Sequence, residues 1–131
     1  MTKSIAIIQS NYVPWKGYFD LINTVDELIL YDTAQFTKND WRNRNKIWKA
    51  NGPMWPSMPV VNKGKYEQSI DETEIAEPWV GQHWSSIRYN YAKAAHFKEM
   101  AQIIKELYDA AALETRLSRV NYLMTTGICS I

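Results

Sequence analysis

The chain has one cysteine and two histidines in 131 residues, and no apolar run close to the ~20 residues of a membrane-spanning helix. A lone Cys129 cannot form an internal disulfide and suits a reducing compartment. Met1-Thr-Lys-Ser leads straight into a short apolar run, with none of the features of a signal peptide. A cytoplasmic protein, with no membrane association, is therefore expected. Charge of one sign is also missing: the formal net charge is +1, which gives no general attraction to nucleic acid or anionic lipid. No internal repeat, linker or low-complexity segment divides the sequence, so residues 1–131 are expected to form a single domain with its own core.

Aromatic residues, in contrast, are abundant. They make up 13% of the chain, with six Trp and eight Tyr against three Phe. Trp and Tyr bring a polar tip as well as an apolar body, which suits ligand pockets; a small domain can also use them simply to fill its core. The stretch that organises the rest is Ile5-Ala-Ile-Ile-Gln-Ser-Asn-Tyr-Val-Pro-Trp-Lys-Gly-Tyr-Phe-Asp-Leu-Ile22. Its first four residues read as a strand buried on both faces. Pro14 lacks an N–H and pushes Val13 out of the helical region, so Gln9 to Lys16 is a tight loop. From Gly17 the apolar residues Tyr18, Phe19, Leu21 and Ile22 predict a short helix. Strand, loop and helix in this order present ligands to a helix N-terminus at the carboxyl end of a strand.

Glu27 to Tyr31 reads as a second strand, and its short connection makes it a parallel neighbour of the first. Asp32 then falls on the same edge as Gln9, either as a ligand contact or as a turn residue. The segment that follows carries Gln35, Arg42, Asn43, Arg44 and Lys46. Between Lys38 and Lys49 its net charge is +4. Arginine forks suit carboxylate or phosphate, so this is a candidate anion grip, the alternative being a solvated basic loop. On an extended backbone Arg42 and Arg44 would share one side, facing the crevice, and Asn43 and Asn45 the other.

Asn51-Gly52 predicts a β-hairpin between Asn45–Lys49 and Met54–Val61, made irregular by Pro53, Pro56 and Pro59. Ile70 to Ile75 is a candidate short strand inside an acidic run. The remainder is helical: Val80, Trp84, Ile87 and Tyr91 lie on one helix face; Phe97, Met100, Ile104, Leu107 and Ala111 on a second; Leu113, Leu117, Val120 and Met124 on a third. That last helix is expected to end at Gly127, with Ile128–Ile131 opening another strand, as if the chain were a piece of something longer. The expected fold class is α/β: a small parallel sheet opened by a βαβ unit, a hairpin extension and a helical C-terminal half. His83 and His96 have no ligand-spaced partner and read as structural. The sequence thus offers no metal site, and it names no cofactor and no oligomeric state.

The stretch Ile8 to Ile22, the run Phe36-Thr-Lys-Asn-Asp-Trp-Arg-Asn-Arg-Asn-Lys-Ile47 and the strand Trp55 to Val60 together resemble the WbqC-like protein family. The likeness extends in order over essentially the whole chain. Two departures stand out: Ser10 replaces a usual proline, and the family usually continues into a further segment with its own polar and aromatic motif. The resemblance implies a role linked to bacterial surface-polysaccharide biosynthesis. It also implies motif positions at Gln9, Tyr12, Pro14, Trp15, Gly17, Tyr18, Asp32, Gln35, Phe36, Trp41, Asn43, Arg44 and Lys46. A fainter likeness, at the level of the fold, is to nucleotidylyltransferases. Trp15-Lys16-Gly17-Tyr18 stands where those enzymes carry a His-x-Gly-His signature, and both histidines are missing. The Arg42, Arg44 and Lys46 cluster would then supply positive charge.

Three readings of function follow. The first is a transferase acting on a nucleotide-sugar or another anionic small molecule. The second is a non-catalytic small-molecule or partner-binding domain using the same pocket. A nucleic-acid module ranks last, because residues 67–131 carry a net charge of −3.

Overall fold

The structure is a computed structural model and describes residues 2–131. Strands β1 (Ile5–Ile8) and β2 (Glu27–Leu30) flank helix α1 (Lys16–Thr24) and pair in parallel, Ile5 opposite Glu27 and Ile8 opposite Leu30. Helix α1 begins after Trp15, whose backbone is extended, and ends where Val25 returns to the extended region. The expectation of strands buried on both faces is not met. Every second residue faces outward, with Ile5, Ile7 and Ile29 53%, 65% and 42% exposed. A sheet of two strands buries a face only where something packs on it, and the main core is built elsewhere.

Strands β3 (Ile47–Lys49) and β4 (Gly52–Met54) form the antiparallel hairpin, shorter than expected. Lys49 pairs with Gly52, so the turn is Ala50-Asn51, and Gly52 supplies a φ of 116° that a side chain would resist. Pro56 and Pro59 cannot donate to a ladder. Beyond Met54 the pairing accordingly reduces to isolated bridges, Arg44 with Ser57 and Val60 with Ile75. The candidate strand at Ile70–Ile75 is likewise reduced to bridges at Glu74 and Ile75.

The C-terminal half holds α2 (Val80–Tyr91), α3 (Phe97–Ala111) and α4 (Leu117–Cys129). Leu113 does not join the last helix; it is exposed in the turn before it. The strand expected at Ile128 is also overturned, because α4 runs through Gly127 to Cys129. Gly127 serves packing instead: a Cβ there would run into the Leu107 side chain on α3. The core gathers Tyr12, Phe36, Met58, Ile70, Trp79, Tyr108, Ala111, Leu117, Val120 and Met124. Loops and helices supply all of these, and β1 and β2 none.

Candidate functional site

Because β1 and β2 are parallel, the chain leaves both on one edge, and three contacts tie the exits together. Tyr31 N–H donates to the Ile8 carbonyl at 2.8 Å, Ser10 N–H to Asp32 Oδ1 at 2.9 Å, and Tyr18 Oη–H to the Gln9 carbonyl at 3.0 Å. Asp32 is buried and anchors the loop through this amide. Burial, reinforced by the Asp32 carboxylate and opposed by Arg42, pushes the Tyr18 hydroxyl up to about 12. Tyr18 therefore stays protonated and keeps its donor role at neutral pH.

The loop is also held from the basic segment. Tyr12 N–H donates to the Trp41 carbonyl at 3.1 Å, and Asn45 Nδ2 donates to the carbonyls of both Tyr12 and Val13. Between these contacts Val13 adopts a φ of 42°, an outlier for a β-branched residue. Such strain persists only where surrounding contacts over-determine it, and it clusters at functional sites.

Arg42 and Arg44, expected side by side, part company. The Arg42 guanidinium donates to Gln9 Oε1 and Asn11 Oδ1, with its side chain only 13% exposed and Asp40 3.7 Å away. Arg44 instead lies over the Trp55 ring at 4.4 Å and donates to the Asn39 carbonyl at 2.6 Å. Lys46 stands over the same ring at 5.1 Å, and Trp55 contacts Trp41 at 5.2 Å between centroids. Asn43 turns to the Met58 carbonyl, and Gln35 lies apart, donating to the Tyr66 carbonyl. The sequence-derived residues thus divide into Gln9, Tyr12, Tyr18, Asp32 and Arg42 around the strand ends, Arg44 and Lys46 on Trp55, and Asn43 and Gln35 in separate backbone contacts.

Beside Arg42 opens a cavity of about 340 Å³, lined by Asn11, Tyr12, Pro14, Trp15, Trp41 and Asn45. Trp15 is 70% exposed, and its indole lies across Gly17, occupying the space a Cβ would need. Glycine at position 17 lets the indole lie in this position. Tyr18 does not line the cavity; its hydroxyl is committed to the Gln9 carbonyl instead. Two indoles, a phenol and a proline can take the flat face of a ring, with the Asn11 amide at its edge. The Arg42 guanidinium is held by the neutral Gln9 and Asn11 side chains and is only partly offset by Asp40 at 3.7 Å.

Beneath the cavity lies a buried hydrogen-bonded chain. Tyr12 Oη is 2.6 Å from Tyr108 Oη and 2.8 Å from His83 Nδ1, and His83 Nε2 is 3.1 Å from the Ser57 carbonyl. A carbonyl only accepts, so Nε2 carries the proton, Nδ1 accepts from Tyr12, and Tyr12 accepts from Tyr108. Desolvation lowers the His83 pKa below its usual value, which keeps the ring neutral. Among the described residues no group of three or more His, Cys, Asp or Glu converges as a metal site.

Sequence reasoning missed Asn121. It is fully buried on α4, and its Nδ2 donates to the Arg42 carbonyl at 2.9 Å and to Ser10 Oγ at 3.1 Å, joining the two loops that frame the cavity. The signal was present: Asn121 follows Leu117 by four residues and precedes Met124 by three, a polar residue on an apolar helix face. Asn11 and Asn45 were hidden among other polar loop residues, and nothing in their spacing singled them out.

Comparison with known proteins agrees with this geometry in extent. A relative from Mycobacterium tuberculosis (strain ATCC 25618 / H37Rv), named "Uncharacterized protein Rv1507c", is 47% identical over 129 residues, covering 98% of this chain. The chain spans about 55% of that relative's length. No solved structure matches. Residues 9–131, from the first residue of the strained loop to the end of the chain, match the WbqC-like protein family, and the chain belongs to that family.

Proposed function

We propose that residues 1–131 form one WbqC-like domain that holds a nucleotide-sugar, or another anionic small molecule, in the Trp15–Trp41 cleft. The domain would act as part of a cytoplasmic transferase of bacterial surface-polysaccharide biosynthesis. One observation carries the reading: an aromatic-walled cavity of about 340 Å³ is lined by Asn11, whose side-chain oxygen accepts from the largely buried Arg42 guanidinium, itself only partly offset by Asp40 at 3.7 Å. The ring of the ligand would stack on the indoles and its anionic group would face Arg42. Arg44 and Lys46, held on Trp55 at the flank of Trp41, add positive charge at the rim. Gln9, Tyr18 and Asp32 keep the loop in register, and Gly17 makes room for Trp15.

Quenching of tryptophan fluorescence, titrated with a nucleotide-sugar, its nucleotide and the free sugar, tests this. The nucleotide-sugar should bind tightest, and Trp15→Ala and Arg42→Ala should each weaken it by tenfold or more, about the worth of a charge-assisted contact. Equal binding of all three by wild type and variants would sink the reading.

The non-catalytic alternative is favoured by one observation. His83 is the buried histidine nearest the cleft, and both of its ring nitrogens are engaged in holding Tyr12 and Ser57. Phosphorus NMR of the nucleotide-sugar incubated with protein and a sugar acceptor separates the two. An unchanged spectrum despite saturable binding would assign the domain to binding alone.

A further inference from the structure

The fold regroups the basic residues. In sequence Lys38 opens the positive run that continues to Lys49, but in the structure it lines a groove of about 550 Å³ with Lys63 and Lys65. Gln35, Asn62 and the highly exposed Tyr66 complete the working surface. No carboxylate lines this groove, and among the described residues none of the three lysines pairs with an acidic side chain. Lys65 also borders a neighbouring depression lined by Glu67 and Glu72, so the positive concavity lies on the Lys38–Lys63 side.

The lysines are not on a loose loop. Gly64 turns the backbone at a φ of 73°, and Lys65 N–H donates to the Asn62 carbonyl at 3.1 Å. The Gln35 side chain donates to the Tyr66 carbonyl, and Gln68 Nε2 to the Val61 carbonyl at 2.9 Å. Phe36 N–H closes the back of the groove on the Gln68 carbonyl, also at 2.9 Å. Three ammonium groups on one groove repel, and a bound polyanion relieves the repulsion without first having to order the turn.

We propose that this groove is a second ligand site, separate from the Trp15–Trp41 cleft, that takes a nucleoside diphosphate. Its phosphates lie among Lys38, Lys63 and Lys65, which act as mobile point charges, and its base stacks on the open face of Tyr66. The site does not depend on the reading given above for the cleft.

Calorimetric titrations with pyrophosphate, a nucleoside diphosphate and a ten-nucleotide single-stranded RNA test it, at low and at physiological salt. The nucleoside diphosphate should bind more tightly than pyrophosphate. The Lys63→Ala/Lys65→Ala variant, with its fold checked by circular dichroism, should weaken both about tenfold, the scale of two exposed ion pairs. Tyr66→Ala should reduce the nucleotide to the level of pyrophosphate, and in the Trp15→Ala background, which removes the stacking wall of the cleft, the lysine- and Tyr66-dependent binding should remain. Absence of binding, indifference to the lysine substitutions, or loss of binding on Trp15→Ala would overturn the proposal. So would RNA binding more tightly than the nucleotide with a steep salt dependence, which would make the groove a nucleic-acid track.

Discussion

The aromatic residues fall into two sets that behave oppositely. Tyr12, Trp79 and Tyr108 pack edge-on in the core with ring centroids about 6 Å apart. Trp15, Trp41 and Trp55 lie outside, 70%, 45% and 40% exposed, and are held by loops and by the cations stacked on Trp55. Of the inner set only the Tyr12 and Tyr108 hydroxyls, with His83, join the hydrogen-bonded chain, while Trp79 contributes its ring; this set is where stability resides, and the outer set leaves apolar surface in water. Only Tyr12 belongs to both, since it lines the cavity and anchors the core. Substitutions that separate the two sets should therefore separate stability from binding.

Tyr12→Ala should have the largest effect. Emptying a fully packed aromatic site costs about 3–5 kcal/mol, a drop that urea denaturation would read as a large fall in midpoint. A loss under ~1 kcal/mol would place Tyr12 with the outer set. Asn121→Ala comes next, at about 1–3 kcal/mol, because it strips the buried Ser10 hydroxyl and the Arg42 carbonyl of their side-chain donor. It should also loosen the cleft, visible as a red shift of tryptophan emission.

Of the two sets, acid should act on the inner one, through His83. The His83 pKa in the fold lies below the ~6.5 of an unfolded chain, so the unfolded state binds more protons in that interval. Stability is then complete above ~6.5 and falls as pH drops through the folded value. Alkali acts through the tyrosines. Burial raises Tyr108 to about 12, so stability declines as pH climbs from ~10 through that value. Thermal melts across both ranges check the signs. A His83→Gln variant should lose most of the acid limb and keep the alkaline one.

The outer set should respond weakly. Arg44→Ala removes a cation–π contact worth about 0.5–1 kcal/mol together with the bond to the Asn39 carbonyl. Gly17→Ala should be nearly neutral in stability, since alanine favours the helix and the exposed Trp15 ring can swing aside. The displaced indole should nonetheless alter fluorescence and weaken any ligand of the cleft. A large stability loss would show that Trp15 is fixed rather than free to move.

Much of this architecture was legible in the sequence, and the failures have physical causes. The βαβ opening followed from apolar runs and a proline-bound loop, and the parallel edge followed from the short connection. The three helices followed from their periodic faces. Burial of the strands did not follow, because an isoleucine run states what a strand could bury and says nothing of whether a partner layer exists. Alternation failed at Arg42 and Arg44 because the 39–46 segment is not extended: Asn39 has a φ of 62°, and Asp40–Asn43 forms turns. Faces two residues apart hold only along a strand. Asn121 stayed hidden because its partners lie 79 and 111 residues away.

The backbone at Val13 has a consequence for timing. Holding a β-branched residue at a φ of 42° stores on the order of 1–3 kcal/mol, and the Asn45 amide helps to keep it there. When that amide lets go, relaxation of Val13 favours release, so opening of the Val13–Trp15 turn, with Tyr12 still anchored in the core, is biased toward speed. The wall of the cleft is in this sense a sprung latch, closed at rest and quick to part. Its rate of opening, with the Asn45 amide as one of its holds, would limit how fast a ligand seated against Trp15 can leave.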